Sequence, residues 1–205
     1  RRDQWLRHLA DRGSERLRRE TLETALRHVI GDALGALRAA MAAAPVAELL
    51  ALARQAAANL KADESDSEIC ACLDLTGLPG TAPDDLPAWR GLAQLLLARS
   101  SGTWRRKIDA AIGFPAPSRT RDAAEKAQRE QAKQRLTALI EALADNAALA
   151  ERLAQLWLLP APAYDERQWQ VVEALCELLP LAVAQLRLVF QAHGEVDFTA
   201  VAWGA

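Results

Sequence analysis

Apolar residues return along this chain every three to four positions, and almost nowhere at every second one. From Glu15 to about Ala43 they fall at Leu22, Leu26, Val29, Ala33, Leu37 and Met41, the spacing of one face of a helix. Upstream, Trp5, Leu6 and Leu9 share a face of a shorter helix that includes Arg2–Ala10; Gly13 ends it and Ser14 can cap the next. Gly31 and Gly35 weaken the long helix but leave a smooth side that another helix could approach. Pro45 suits the first turn of a helix running to about Lys61. A polar link at 62–68 and a short helix over Ile69–Leu75 follow. TGLPGTAPDDLP, residues 76–87, reads as a loop because two glycines and three prolines interrupt any periodicity.

The second half repeats this grammar. Trp89–Ala98 reads as helix, and GFPAPS at 113–118 as a loop. Arg121–Leu143 is a long helix whose charged first half gives way to the stripe Leu136, Leu139, Ile140 and Leu143. Another helix runs over Asn146–Leu159 until LPAPAY breaks it. Asp165-x-x-Gln168 has the form of a capping box opening the last helix. The apolar side of that helix is Val172, Leu175, Cys176, Leu179, Leu186, Val189 and Phe190, and Pro180 should kink or split it. Gly194 would stop it, and Asp197 would start one more helix close to the end at Ala205. No convincing strand and no internal repeat stand out. The expectation is an all-α chain, an irregular bundle of about seven to nine helices.

Composition agrees. Alanine, leucine and arginine dominate the 205 residues, of which 51% are hydrophobic, enough for a real core. No apolar run reaches the roughly 18–20 residues a bilayer span needs, and the basic start has no apolar stretch behind it, so no signal peptide is read there. Three cysteines, Cys70, Cys72 and Cys176, cannot all pair within the chain, which points to a reducing, cytoplasmic setting. Cys70-x-Cys72 lacks a second pair or a nearby histidine for zinc, so packed thiols are expected. His8, His28 and His193 stand apart in sequence and read as surface or capping residues.

The net charge of −2 conceals an asymmetry. Residues 99–135 hold ten Lys/Arg against four acids, a balance of +6, and residues 1–28 eight Arg against five acids, +3; the rest carries −11. One basic segment on a neutral chain suits local contact with a polyanion. None of the four lysines follows a glycine, so there is no phosphate-binding G-K-[S/T] loop. DERQ at 165–168 imitates the magnesium motif of helicases. The preceding LLPAPAY cannot supply the buried strand that motif needs, and capping is the better account. Catalysis by this chain alone is not expected, and neither a metal nor a cofactor.

Three blocks in order resemble the UvrD/Rep-type superfamily 1 DNA helicases of the AddA/RecB-like branch: RRDQWL (1–6), LLLARSSGTWRRKIDAAIGFP (95–115) and LPAPAYDERQWQVVEALCELLPLAVAQLRLVFQAHGEVDFTAVA (159–202). The resemblance implies that residues 1–205 form one helical insert, the 1B subdomain of the first RecA-like domain, cut out at both ends. The ATP- and magnesium-binding segments of the motor would then lie outside it. It also implies a bacterial, nucleoid-associated protein acting in double-strand break repair and recombination. Its partners would be DNA, the rest of the motor and, as a further possibility, a nuclease subunit; no membrane is implied.

Within these blocks GTWRRK, residues 102–107, is the candidate DNA contact. Arg105, Arg106 and Lys107 can neutralise phosphates, Trp104 can stack on a base, and Arg99 can extend the patch. The competing expectation is that Trp104 packs in the core and the cations are merely solvated. Arg119, Arg121, Lys126, Arg129 and Lys133 interleave with Asp122, Glu125 and Glu130, so intrahelical pairing is expected for them. Trp5, Trp89, Trp157 and Trp169 are assigned to packing, and Trp203 to a partner outside the chain. The alternative function is a helical protein-interaction or structural domain that docks a partner subunit.

Overall fold

The structure, a computed structural model, describes residues 15–193. The expected helix over Arg2–Ala10, His8, the Gly13–Ser14 break and the segment 194–205 with Gly194, Asp197 and Trp203 lie outside the described residues. Six α-helices occur among those described, fewer than the seven to nine expected. They are α1 (Glu15–Ala40), α2 (Val46–Ala62), α3 (Leu86–Leu96), α4 (Ala123–Leu143), α5 (Ala147–Gln155) and α6 (Glu166–His193). Short 3-10 turns take up several links, including Glu68–Cys72, where a short helix was expected. Among the described residues the fold is all-α apart from one small ladder, in which β1 (Leu97–Ala98) pairs antiparallel with β2 (Thr103–Trp104).

Local chemistry explains the helix starts. Asp122 accepts from the Ala124 N–H at 2.9 Å, and Asn146 from the Leu149 N–H at 3.0 Å, each satisfying a donor that a first helical turn leaves open. The capping box at α6 closes in both directions: Asp165 Oδ1 accepts from the Gln168 N–H at 2.8 Å, and Gln168 Oε1 from the Asp165 N–H at 3.1 Å. Pro180 does not split α6, which runs unbroken from Glu166 to His193.

Contacts divide the chain into two compact units. The larger spans Leu26–Pro162 and holds most of the buried apolar residues. Ile30, Leu34, Leu37 and Met41 of α1 are buried there. Leu37 and Met41 are buried as expected, but upstream of them the covered positions are Ile30 and Leu34 rather than Val29, which is 55% exposed. The stripe of α4 is buried as expected, at Leu136, Leu139, Ile140 and Leu143. Trp89 of α3 is fully buried and its indole N–H donates to the Gly80 carbonyl at 2.8 Å, which ties the Gly/Pro loop down. Gly31 is approached by the Thr81 carbonyl of that loop rather than by a helix, and Gly35 has open space beside it.

The other unit comprises residues up to Ala25 together with those from Ala163 onward. Its centre is Trp169, buried in α6. The Tyr164 ring lies 6.0 Å away, and the Arg19 guanidinium sits 5.5 Å over the indole. Arg19 also donates to the Tyr164 carbonyl at 2.6 Å and pairs with Glu23 at 3.0 Å, while Glu23 accepts from the Tyr164 N–H at 3.1 Å. No helix among the described residues is long and apolar enough to cross a membrane.

Candidate nucleic-acid interface

The GTWRRK segment supplies the second strand of a hairpin, and the expected helix over Trp89–Ala98 gives way to the first strand at Leu97. α3 ends at Leu96, Leu97 turns extended, and the chain folds back so that Leu97 faces Trp104 and Ala98 faces Thr103. Two features make the reversal possible. Ser101 and Gly102 both donate their N–H to the Ala98 carbonyl, at 3.2 and 2.8 Å. Gly102 takes φ +66°, a left-handed conformation that favours glycine. A Cβ at Gly102 would also stand 3.3 Å from the Ala154 Cβ, so the tip lies close against α5.

The five residues expected to touch DNA meet different fates on this hairpin. Arg99, at the tip, is 64% exposed, with its nearest acid, Glu68, 4.0 Å away. Trp104 is half-buried and packs against the core. Arg105 is half-buried too. Its Nη2 donates to the carbonyls of Gln94 and Leu97, both at 2.7 Å, and its N–H donates to the Leu96 carbonyl at 2.9 Å. Burial pushes the Arg105 guanidinium below its ordinary pKa. Arg106 is exposed. Lys107 is 86% exposed and forms an ion pair with Asp109 at 3.0 Å. The Asp109 carboxyl is held below the usual carboxylate range, first by Lys107 and then by the Ala111 N–H, which it caps at 3.1 Å.

Downstream, the GFP triplet is structural. Gly113 has φ +83°, and any Cβ there would run into the Ala56 backbone of α2. Asn59 of α2 donates to the Gly113 carbonyl at 2.8 Å, and Phe114 is buried. Among the secondary cations, Arg129 pairs with Glu125 one turn away, as expected, and also donates to the Ala116 carbonyl. Glu125 is held low by Thr120 and Arg129. Asp122 caps α4. Arg119, Arg121 and Lys126 are exposed, and Lys133 is half-buried. Arg135 forms a two-pronged pair with Glu48 of α2, at 2.7 and 2.8 Å.

Sequence reasoning missed how many arginines serve carbonyl groups. Besides Arg105, Arg90 donates to Leu156 and Leu159 at 3.1 and 2.9 Å, and Arg38 to Pro79 at 3.3 Å. The only prior signal was the general attraction of cations to helix C-termini, which names no particular residue.

The cysteines behave as packed thiols. Cys70 and Cys72 donate to the carbonyls of Ser65 and Ala88, and burial pushes the Cys72 thiol up to about 12, far from a reactive thiolate. Cys176 is buried as well. His28 and His193 lie exposed on their helices. Among the described residues no group of three or more His, Cys, Asp or Glu could hold a metal ion. The larger unit is thus helical and carries a small cationic hairpin. Compared with family models, with curated proteins and with solved structures, the chain matches none.

Proposed function

We propose that this chain is a DNA-binding accessory subdomain of an ATP-dependent DNA helicase, similar to the 1B insert of UvrD/Rep-type enzymes of the AddA/RecB-like branch. Its task is to guide single-stranded or forked DNA by contacts to the backbone. ATP and magnesium belong, in this reading, to the motor segments that flank such inserts. The carrying observation is that Arg99 at the tip of the hairpin, and Arg106 and Lys107 just beyond its second strand, are exposed while Trp104 and Arg105 are engaged inward. Phosphate contacts carry no sequence information, which suits a motor that must pass over any sequence.

Three such contacts predict that binding to a single strand falls with a log–log salt slope of about −2, or roughly fifteenfold over a fourfold rise in salt. Anisotropy titration of a labelled fork at two salt concentrations measures this. Unchanged affinity after combined Arg99→Ala, Arg106→Ala and Lys107→Ala would falsify the assignment.

A second reading, a surface that docks a partner subunit, is favoured by one observation. Val171, Leu175, Leu178, Leu186 and Val189 are exposed at helical spacing along α6. It predicts undetectable or salt-insensitive DNA binding.

A further inference from the structure

We propose that Arg105 is a positioning residue for the cationic hairpin and not itself a phosphate ligand; this rests on the DNA-binding reading above. A helix leaves its last carbonyls without intrahelical partners. At the end of α3, Arg105 answers two of them, taking the Gln94 carbonyl with its guanidinium and the Leu96 carbonyl with its backbone N–H. The same Nη2 also takes the Leu97 carbonyl on β1. One residue therefore ties the outgoing strand to both the helix end and the incoming strand. A cation at a helix C-terminus is favoured by the dipole, and the flat guanidinium can reach two carbonyls from one nitrogen. The ladder it secures is only two residues long on each side. A ladder so short does not hold a register by its own hydrogen bonds. Arg106 and Lys107 follow directly, so their placement depends on this clamp.

A positioning residue and a ligand leave different signatures in salt titrations. Each phosphate ligand removed lowers the salt slope by about one for duplex and somewhat less for single strands. Arg106→Ala and Lys107→Ala are each expected to show that loss. Arg105→Ala is expected to weaken binding to a labelled fork about tenfold at every salt concentration, with the slope unchanged. Arg105→Lys keeps the charge but loses the flat fork, and is expected not to restore affinity. A reduced slope in Arg105→Ala, together with rescue by Arg105→Lys, would overturn the proposal and make Arg105 a ligand.

Amide hydrogen exchange of the DNA-free chain supplies a separate readout that also guards against global unfolding. In Arg105→Lys, exchange at Gly102 and Arg105 is expected to speed up about tenfold while α4 keeps its protection. Unaltered exchange at those amides would remove the clamp even if DNA binds. Faster exchange in Arg105→Lys as expected, with no salt-dependent binding by the wild-type chain, would instead sink the DNA reading and the positioning role with it while leaving the carbonyl contacts of Arg105 in place.

Discussion

α3 and α6 are both rich in leucine, yet they end in opposite circumstances. In α3, eleven residues long, Leu86, Trp89, Leu92, Leu95 and Leu96 are all buried. In α6, which has 28 residues, the buried positions are Trp169 and Cys176, and Leu178 stands 58% exposed. The difference lies in neighbours. α3 is packed against the 3-10 turn Glu68–Cys72, against α5 and against its own hairpin. α6 carries apolar residues on more than one side, and among the described residues only the side of Trp169, Val172 and Cys176 is covered or half-covered. Apolar content sets how much a helix can bury; the surrounding elements set how much it does.

The largest effect should come from the crowded region. Trp89→Ala removes a fully buried indole and its bond to Gly80, and should cost about 4 kcal/mol in urea unfolding. A cost below about 1 kcal/mol would mean that α3 is not the centre it appears from its burial. Next comes the close approach of the second loop to α2. Gly113→Ala forces a Cβ against the Ala56 backbone at φ +83°, and should cost about 3 kcal/mol by the same measurement. Gly35→Ala, where nothing lies within 4 Å, is the control and should be neutral or stabilising by up to about 1 kcal/mol. The smallest effect belongs to α6. Leu178→Gln should change stability by less than about 0.5 kcal/mol. A loss comparable with Trp89→Ala would erase the contrast between the two helices and show that Leu178 is covered in solution.

How far the fold could be read in advance depended on whether a signal was local. The capping box at Asp165 acts within three residues and bonds as its sequence suggested; Asp122 and Asn146 cap over the same short range, although pairing with cations was expected for Asp122. The α4 stripe was legible because its other faces are polar or alanine, so only one rotation of the helix buries leucine. On α1 the C-terminal positions Leu37 and Met41 were read correctly, but Val29 and Ile30 are adjacent apolar residues on neighbouring arcs, and periodicity alone could not choose between them. The hairpin was missed as a strand pair because two residues per side are too few to show alternation.

The candidate site was legible as a cluster of cations and not as a set of roles. Trp104, Arg105, Arg106 and Lys107 are adjacent in sequence, yet two are turned to packing and clamping and two to solvent. Charge counting adds Arg105 and Arg106 alike, because it cannot register that one of them meets the open carbonyls of a helix end eight to eleven residues earlier.

The sequence by itself determined that this chain is helical, where most helices begin and where its loops break, because caps, prolines and periodicity act over one or two turns. Tertiary structure decided which face of α1 is buried, which leucines of α6 stay uncovered and which arginines remain available to an anion. Those outcomes depend on carbonyls and side chains brought in from distant segments, as when Arg90 meets Leu156 and Arg135 meets Glu48. Such a meeting is a property of the packed chain, since neither partner carries a local mark of the other.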